Sequence, residues 1–250
     1  MSILKTYTPT VTVAENKQIF AKTAALLLWE QLEEMHNPLM VLPTGNTPGD
    51  MYRYLVTHHG KRKEIWERVR FLALDEYIGL PANDRRLFQN WLARDLLDPV
   101  GIPVRRRIVF NSMADAPGEE AAAMENWIKD NGPIDIAVLG LGVNGHIAFN
   151  EPGSNFDSVT RVIALSPETR QSNAAYWGGL DKVPERAYTL GLRTLSNAKQ
   201  IILLVNGAHK AEILNKVLCG PITPDIPASF LRTVANVTVL ADREAAKDLL

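Results

Sequence analysis

Two stretches of this 250-residue sequence carry the side chains that acid–base catalysis requires. Asp75 comes directly after the apolar residues 69–74, where a carboxylate could act as a general base. His146 follows a second apolar run and stands between a glycine-rich turn and another carboxylate, Glu151. A lone histidine is usually a hydrogen-bonded structural residue, but this position favours a functional role. We therefore expect a site that moves protons.

Asp75 is followed by a second carboxylate, Glu76, so the motif alone does not decide which of the two is functional. Adjacent residues at a strand end point to opposite sides, so at most one of the two carboxylates faces a given cavity. Asp75 is the first residue after the apolar run and is the better candidate for the base. The structural alternative, in which one of them only caps the following turn, is the commoner case for such a motif.

A second group of residues has the chemistry of an anion site: Thr44, Gly45, Asn46 and Thr47. Thr47 is the expected helix N-cap, with Pro48 at the first helical position. Such a loop directs several backbone N–H groups and two hydroxyls to a helix N-terminus, which commonly binds phosphate. Simple helix capping explains this segment equally well. The sequence lacks Gly-Lys-Ser/Thr, which argues against a nucleotide P-loop.

Lys210 lies at the start of another predicted helix, where its charge opposes the helix dipole unless an anion lies between them. It would then form a clamp on one phosphate with the threonine loop, although a solvated surface lysine is the alternative. Gly140-x-Gly142-x-x-Gly145 has the spacing of a dinucleotide fingerprint, but Pro152 interrupts the helix that such a site needs. We expect these glycines, with Gly142 as a substrate-binding residue, to let the backbone pass close to a ligand.

Alternating apolar runs and helical patterns must position these residues. Near-continuous apolar runs predict strands at residues 38–42, 69–74, 134–139, 161–165, 201–205 and 237–240. Apolar residues at helical spacing predict helices at 15–35, 48–58, 85–97, 119–131 and 208–218. In the first of these, Ile19, Leu26, Leu32 and Met35 can share one buried stripe. The pattern predicts an α/β fold: one domain over residues 1–250, with a mostly parallel, Rossmann-like wound sheet and helices on both faces.

The composition restricts the class of protein. The sequence is 46% hydrophobic and 22% charged, and 27 basic against 28 acidic residues give a net charge of −1. We therefore expect no general affinity for nucleic acid or for an anionic membrane. Apolar runs reach only about six residues, against the ~20 that span a bilayer, and no secretory signal is visible. The single cysteine, Cys219, argues against disulfides and multi-cysteine zinc sites, so we expect a cytoplasmic protein.

In this order, the loops resemble the glucosamine-6-phosphate deaminase family, within a wider group that contains 6-phosphogluconolactonases. The matching segments are LPTGNTP at residues 42–48, LDEYIGLP at 74–81, GHIAFNEPG at 145–153, TR at 169–170, NGAHK at 206–210 and PASFL at 227–231. The resemblance covers roughly residues 10–245. It implies conversion of an amino-sugar 6-phosphate, glucosamine-6-phosphate first, to a ketose 6-phosphate and ammonia, with no metal or organic cofactor.

The resemblance also implies roles for individual residues. His146 would serve ring opening, and Asp75 would move a proton between C2 and C1 of the open chain. Glu151 would orient the imidazole and tune its charge. The phosphate would bind Lys210 and the threonine loop, and this binding would position the reacting carbons over Asp75.

Two departures from the family pattern bear on the substrate. Asn144 stands where the deaminases usually have aspartate, and it could accept a hydrogen bond from His146 but could not stabilise an imidazolium by charge. Galactosamine-6-phosphate deaminase/isomerase relatives can carry Asn-Gly-His here, which makes the galacto-epimer an alternative substrate. Ala175 stands where the family pattern has a phosphate-contacting arginine. Arg193 is expected to supply that charge, or else the pair at residues 85–86.

The sequence also ends without the longer C-terminal segment of allosteric, hexameric family members, so we expect simple kinetics and a monomer or small homo-oligomer. Two further functions remain open. A lactonase would need only the phosphate clamp and a histidine base. A catalytically weak sugar-phosphate binding protein is conceivable because of Asn144 and Ala175.

Overall fold

The computed structural model describes residues 5–250, in which the strands form two sheets. The strands are β1 (Thr10–Ala14), β2 (Leu39–Leu42), β3 (Arg70–Ala73), β4 (Asp75–Tyr77), β5 (Arg107–Ile108), β6 (Ile136–Gly140), β7 (Arg161–Ala164), β8 (Arg186–Thr189), β9 (Gln200–Val205) and β10 (Val237–Asp242). Of these, β1, β4, β5 and β8 were not predicted from the sequence.

Seven strands form the parallel sheet, in the order β1-β10-β9-β6-β2-β3-β5. All four residues of β2 are at most 1% exposed. Because successive side chains of a strand point to opposite faces, both faces of the sheet are covered there. From β2 the chain continues to β3 on one side and returns to β6 on the other, so the strand order reverses between β2 and β6. Ligands of open α/β sheets bind at such a reversal. The predicted mostly parallel wound sheet is confirmed.

The helices are α1 (Lys17–Glu33), α2 (Asn46–His58), α3 (Lys63–Arg68), α4 (Phe88–Leu92), α5 (Pro117–Asn131), α6 (Pro167–Trp177), α7 (Leu192–Ser196) and α8 (Ala211–Cys219). A π-helical turn, Ala93–Leu97, continues α4, and a 3₁₀ turn, Ala208–Lys210, precedes α8. These two turns occupy segments that were predicted as plain α-helix. No helix within the described residues is long and apolar enough to cross a membrane.

The buried face of α1 differs from the predicted one. Ile19 is 40% exposed and Leu26 is 41% exposed, so they do not belong to a buried stripe. Instead, Phe20, Leu28 and Leu32 are buried, with the small residues between them. This helix is apolar around much of its circumference, so its composition alone does not identify the buried side.

Three strands form the small sheet, which is antiparallel and has the order β4-β8-β7. Thr189 at the end of β8 lies opposite Asp75 on one side and Arg161 on the other. The prediction that residues 161–165 belong to the parallel sheet is therefore wrong. A short apolar run has no period that distinguishes the two kinds of sheet. Leu74 alone separates β3 of the parallel sheet from β4 of the small sheet, and its carbonyl accepts the N–H of Leu190 at 2.9 Å.

The hydrophobic core has two parts. The larger surrounds the parallel sheet, and the smaller lies with the small sheet and α6. The smaller one contains Tyr77, Leu80, Leu87, Phe149, Leu165, Trp177, Val183 and Ala187. Tyr77 at its centre contacts Trp177 edge-on, with ring centroids 4.9 Å apart. The small sheet is thus held in place by aromatic packing.

Candidate active site

A cavity of about 500 Å³ opens where the strand order reverses, beyond the carboxyl ends of β2 and β6. The sequence-predicted residues that line it are Thr44, Gly45, Asn46, Thr47, Asp75, Gly142, His146 and Lys210. These residues come from four separate loops or strand ends. Glu151 and Asn144 lie behind His146, and Arg193 lies elsewhere. Within residues 5–250, no group of three or more His, Cys, Asp or Glu side chains is placed to hold a metal ion.

The loop at residues 44–47 connects β2 to α2 at the floor of the cavity. Gly45 has φ +104°, a left-handed conformation that a side chain would strain, and it directly precedes the first residue of the helix, Asn46. The predicted N-cap at Thr47 is therefore wrong. The Thr47 hydroxyl instead donates to Asn206 Oδ1 at 2.8 Å and so joins this loop to the one after β9. The backbone N–H groups at the start of α2 can bind an anion.

Lys210 reaches the same cavity from the 3₁₀ turn after β9. Its Nζ donates to the carbonyl of Leu141, after β6, at 2.6 Å. Burial lowers the pKa of Lys210 to about 8, and no carboxylate of the described chain lies within ion-pair distance of its ammonium. A half-buried cation with only a carbonyl partner would be stabilised by an anionic ligand.

Asp75 and Glu76 face opposite sides of β4, as predicted. Asp75 lines the cavity, whereas Glu76 is fully buried and accepts N–H bonds at 2.9 Å from Tyr77, Phe88 and Gln89. Burial raises the pKa of Asp75 well above its usual value, and the negative charge of Glu76 raises it further. Burial also raises the pKa of Glu76 to about 7, although the three N–H groups oppose this shift. An aspartate of raised pKa is a stronger base once it is ionised.

The loop after β6 folds so that His146 packs directly on glycine. A Cβ at Gly142 would collide with the imidazole ring, and the Gly142 N–H donates to the His146 carbonyl at 2.9 Å. Glycine is therefore required at position 142 for packing against His146, and the same residue also lines the cavity. Ala148 in the same loop has φ +51°, an uncommon conformation for a residue with a side chain.

Glu151 lies beside His146, with its Oε2 3.6 Å from the imidazole Nδ1. Asn144 Nδ2 donates to the same Oε2 at 2.9 Å, while Asn144 Oδ1 accepts the backbone N–H of His146 at 3.2 Å. Asn144 thus binds Glu151 and the backbone, and not the imidazole ring as the sequence suggested. Burial alone would raise the pKa of Glu151, but His146, Thr169 and Asn144 together lower it. Glu151 is consequently a carboxylate beside the imidazole.

The expectation that Arg193 supplies the missing positive charge is wrong, because of where the structure places this residue. Arg193 is exposed on α7, whose neighbouring residues Thr194 and Leu195 face inward, and it does not line the cavity. The arginines that do line it are Arg85, Arg86 and Arg94. Arg85 and Arg86 are the alternatives that the sequence offered for this charge, whereas Arg94 was not predicted. Only the helical pattern at residues 85–97 could have pointed to it.

The three arginines differ in how free they are to meet a ligand. Arg86 pairs with Asp84, with Nη2–Oδ2 at 2.6 Å, and lies over the ring of Trp177. Arg94 pairs with Asp95, with Nε–Oδ1 at 2.6 Å, on the π turn that packs against α2. Arg85 is exposed and has no carboxylate partner within the described residues. Arg85 is therefore the best placed of the three to approach an anion.

An aromatic wall that lines part of the same cavity was also missed. It consists of Tyr77, Phe88, Trp91, Phe149, Tyr176 and Trp177. Asn173 Nδ2 donates to the Tyr77 hydroxyl at 2.9 Å, and Trp91 contacts Tyr176 with centroids 5.9 Å apart. Tyr77 follows Asp75 by two residues, and Phe149 follows His146 by three. Their nearness in the sequence to those candidates was the one signal that could have placed them in the site.

Comparison with known proteins agrees with this geometry. The family model for glucosamine-6-phosphate isomerases/6-phosphogluconolactonase matches residues 14–240. The glucosamine-6-phosphate deaminase of Shouchella clausii (strain KSM-K16) is 41% identical over 232 residues, which cover 93% of this chain and 94% of that protein.

Solved structures show the same fold. A monomeric glucosamine-6-phosphate deaminase, described as a missing link of the NagB superfamily, superposes with a TM-score of 0.92 at 36% identity, covering 96% of this chain and 99% of that one. The 6-phosphogluconolactonase of Trypanosoma brucei has a TM-score of 0.81 at 24% identity over 98% and 100% of the two chains, a likeness of fold alone. This chain belongs to the family of glucosamine-6-phosphate isomerases and 6-phosphogluconolactonases.

Proposed function

We propose that this protein is a glucosamine-6-phosphate deaminase, an enzyme that converts an amino-sugar 6-phosphate and water to a ketose 6-phosphate and ammonia. The observation that carries the proposal is that Asp75 and His146 line one cavity with the loop at residues 44–47 and Lys210. The deaminases among its relatives, at 41% and 36% identity over nearly the whole chain, support it.

The phosphate end of the substrate would bind the backbone N–H groups at the start of α2, the hydroxyl of Thr44 and the ammonium of Lys210. The Thr47 hydroxyl would join them by exchanging its bond to Asn206 for one to the phosphate. Arg85 and Arg94 would add positive charge from the α4 side of the cavity. Binding a dianion far from the reacting carbons fixes the sugar without taking part in the chemistry. This division of the cavity leaves its other side for proton transfer.

The chemical steps need a base and an acid at neighbouring carbons. His146 would move the proton between the ring oxygen and the anomeric hydroxyl as the ring opens. Asp75 would then take the proton from C2 and return it to C1, while the C1 oxygen gains the proton that the C2 ammonium loses, which leaves an iminium at C2 and a hydroxyl at C1. Water adds to that carbon and ammonia leaves, so the atoms balance. The raised pKa of Asp75 fits a carboxylate that gains and gives back a proton.

The assembly and location of the protein are part of the same proposal. The deaminase with TM-score 0.92 is described as monomeric, which supports a monomer or small homo-oligomer for this chain as well. A sugar-phosphate substrate and a single cysteine, Cys219, support a cytoplasmic enzyme. Light scattering on the purified protein tests the assembly.

Ammonia release tests the function. The purified protein is incubated with glucosamine-6-phosphate and with galactosamine-6-phosphate, and ammonium is measured with the Asp75→Asn variant as control for contaminating activity. We expect ammonia from the gluco compound at the higher rate. A higher rate with the galacto compound would change the substrate. Hydrolysis of 6-phosphogluconolactone without ammonia from either would overturn the proposal, as would ligand-induced thermal stabilisation without turnover.

A further inference from the structure

The carboxylate of Glu151 is held by a residue from outside its own loop. Thr169 is buried in the first turn of α6, and its hydroxyl donates to Glu151 Oε1. The backbone N–H of Thr169 donates to Oγ of Ser166, the N-cap residue of α6, at 3.1 Å. This cap fixes the helix turn that carries the hydroxyl.

The other oxygen of Glu151 faces the imidazole. Asn144 Nδ2 donates to Oε2 at 2.9 Å, and His146 Nδ1 lies 3.6 Å from the same atom. Within the described residues, His146 is the charged or titratable group that acts on Glu151, while Thr169 from α6 and Asn144 from the loop are neutral donors. Each carboxylate oxygen therefore has its own neutral donor, and only one of them faces the histidine.

We propose that Thr169 is a positioning residue for the proposed reaction: its hydrogen bond to Oε1 fixes the Glu151 carboxylate so that Oε2 faces the imidazole of His146. The proposal rests on the function proposed above for this cavity. Helix α6 would then do more than line the cavity, because the orientation of Glu151 would depend on the position of this helix.

A second bond of α6 reaches the other side of the cavity. Asn173 donates to the hydroxyl of Tyr77, two residues from Asp75 on β4. The helix is thus joined both to the strand of the proposed base and to the carboxylate behind the proposed ring-opening histidine. Loss of the Thr169 donor would leave Oε1 of the half-buried Glu151 without its hydrogen bond, which disfavours the ionised carboxylate in its present orientation.

The test compares Thr169→Val, which keeps the shape but removes the donor, with Thr169→Ser, which keeps the hydroxyl. We expect kcat to fall roughly tenfold to hundredfold in the valine variant, with KM within about threefold of wild type. The acid limb of its pH–kcat profile should move to higher pH, because Glu151 is then ionised less readily. The serine variant should restore both. Gln171→Ala, an exposed site on the same helix, is the control and should behave as wild type.

A measurement that needs no turnover separates this proposal from the proposed function. The carboxyl pKa of Glu151, followed by ¹³C NMR in the ligand-free protein, should rise in the valine variant and return in the serine variant. An unchanged Glu151 pKa would overturn the positioning role even if the protein proves to be a deaminase. A rise in KM with unchanged kcat would show that Thr169 contacts substrate and would also overturn it. If valine prevents folding, Thr169→Ala removes the same donor without added bulk.

Discussion

The parallel sheet and the small sheet contribute different groups to the same cavity. From the parallel sheet come backbone N–H groups, two threonine hydroxyls, the ammonium of Lys210 and the imidazole of His146, all in loops after buried strands. From the small sheet and α6 come the carboxylate of Asp75 and three of the six aromatic-wall residues, Tyr77, Tyr176 and Trp177. In the proposed mechanism, the phosphate-binding groups and the ring-opening histidine thus come from the parallel sheet, and the base comes from the small sheet. Variants of the proposed phosphate-binding groups should change KM, and variants of Asp75 should change kcat.

The largest effect is expected on the small-sheet side. Asp75→Asn removes the proposed base while keeping its size, so kcat should fall about 10²- to 10⁴-fold with KM nearly unchanged. Steady-state kinetics of ammonia release measure both. Asp115→Asn, at an exposed position, serves as the matched control. A variant with wild-type kcat would show that the base lies elsewhere, and the comparison between the sheets would fail.

Lys210→Ala tests the parallel-sheet side. Loss of a charge-assisted bond to phosphate should raise KM about 10- to 100-fold while kcat remains close to wild type. The pH dependence sharpens the test. The free lysine is cationic below its pKa of about 8 and neutral above it, so wild-type kcat/KM should fall as the pH rises through 8. In the alanine variant that fall should be absent, and its persistence would contradict the assignment.

Glu76→Gln tests how the small sheet is anchored. Glutamine would place an amide NH₂ against backbone N–H groups whose hydrogen bonds the carboxylate now accepts. The unfolding free energy should therefore fall by about 1–3 kcal/mol. The folded-state pKa of about 7 exceeds the usual 4.5, so the folded protein holds this proton more tightly. The contribution of the protonated Glu76 to the stability of the fold is complete below pH 4.5 and is lost as the pH rises through 7.

Chemical denaturation at several pH values measures this contribution. The loss of stability between pH 4.5 and 7 should be smaller in Glu76→Gln than in wild type, because glutamine does not titrate. Glu67→Gln, at an exposed position, is the control and should keep the wild-type slope. Equal slopes in all three proteins would mean that Glu76 does not bind a proton in this range.

The arginines should show the smallest effects. Arg85→Ala and Arg94→Ala should each raise KM about threefold to tenfold, since exposed guanidinium groups contribute less than the half-buried ammonium of Lys210. Arg193→Ala, outside the cavity, is the matched control and should leave KM unchanged. The reverse result, an effect at Arg193 alone, would restore the expectation drawn from the sequence.

The same contrast explains which parts of the structure could be predicted. The central strands of the parallel sheet are buried on both faces and give continuous apolar runs, so residues 38–42 and 201–205 were recognised as strands. The small sheet gave no such signal. β4 has only three residues, two of them acidic, and its partner β8 begins more than 100 positions later. Residues 161–165 were recognised as a strand but assigned to the wrong sheet.

The site follows the same division. The loop containing Thr44, together with Asp75, His146 and Lys210, was expected at one sheet edge because parallel strands end on the same side. Hydrogen-bond partners could not be predicted, since they depend on side-chain directions: Asn144 binds Glu151 and not the imidazole. The catalytic and binding roles of these residues, like the single domain over residues 1–250, stay predictions.

The junction at Leu74 has a consequence for how the protein folds. The chain passes from one sheet to the other within a single residue, and the Leu190 N–H bonds to that residue's carbonyl. Asp75 therefore acquires its native surroundings only after the second sheet has docked, whereas the loop after β2 requires only the first. During refolding, affinity for inorganic phosphate should return before turnover does, and the interval between them would time the docking step.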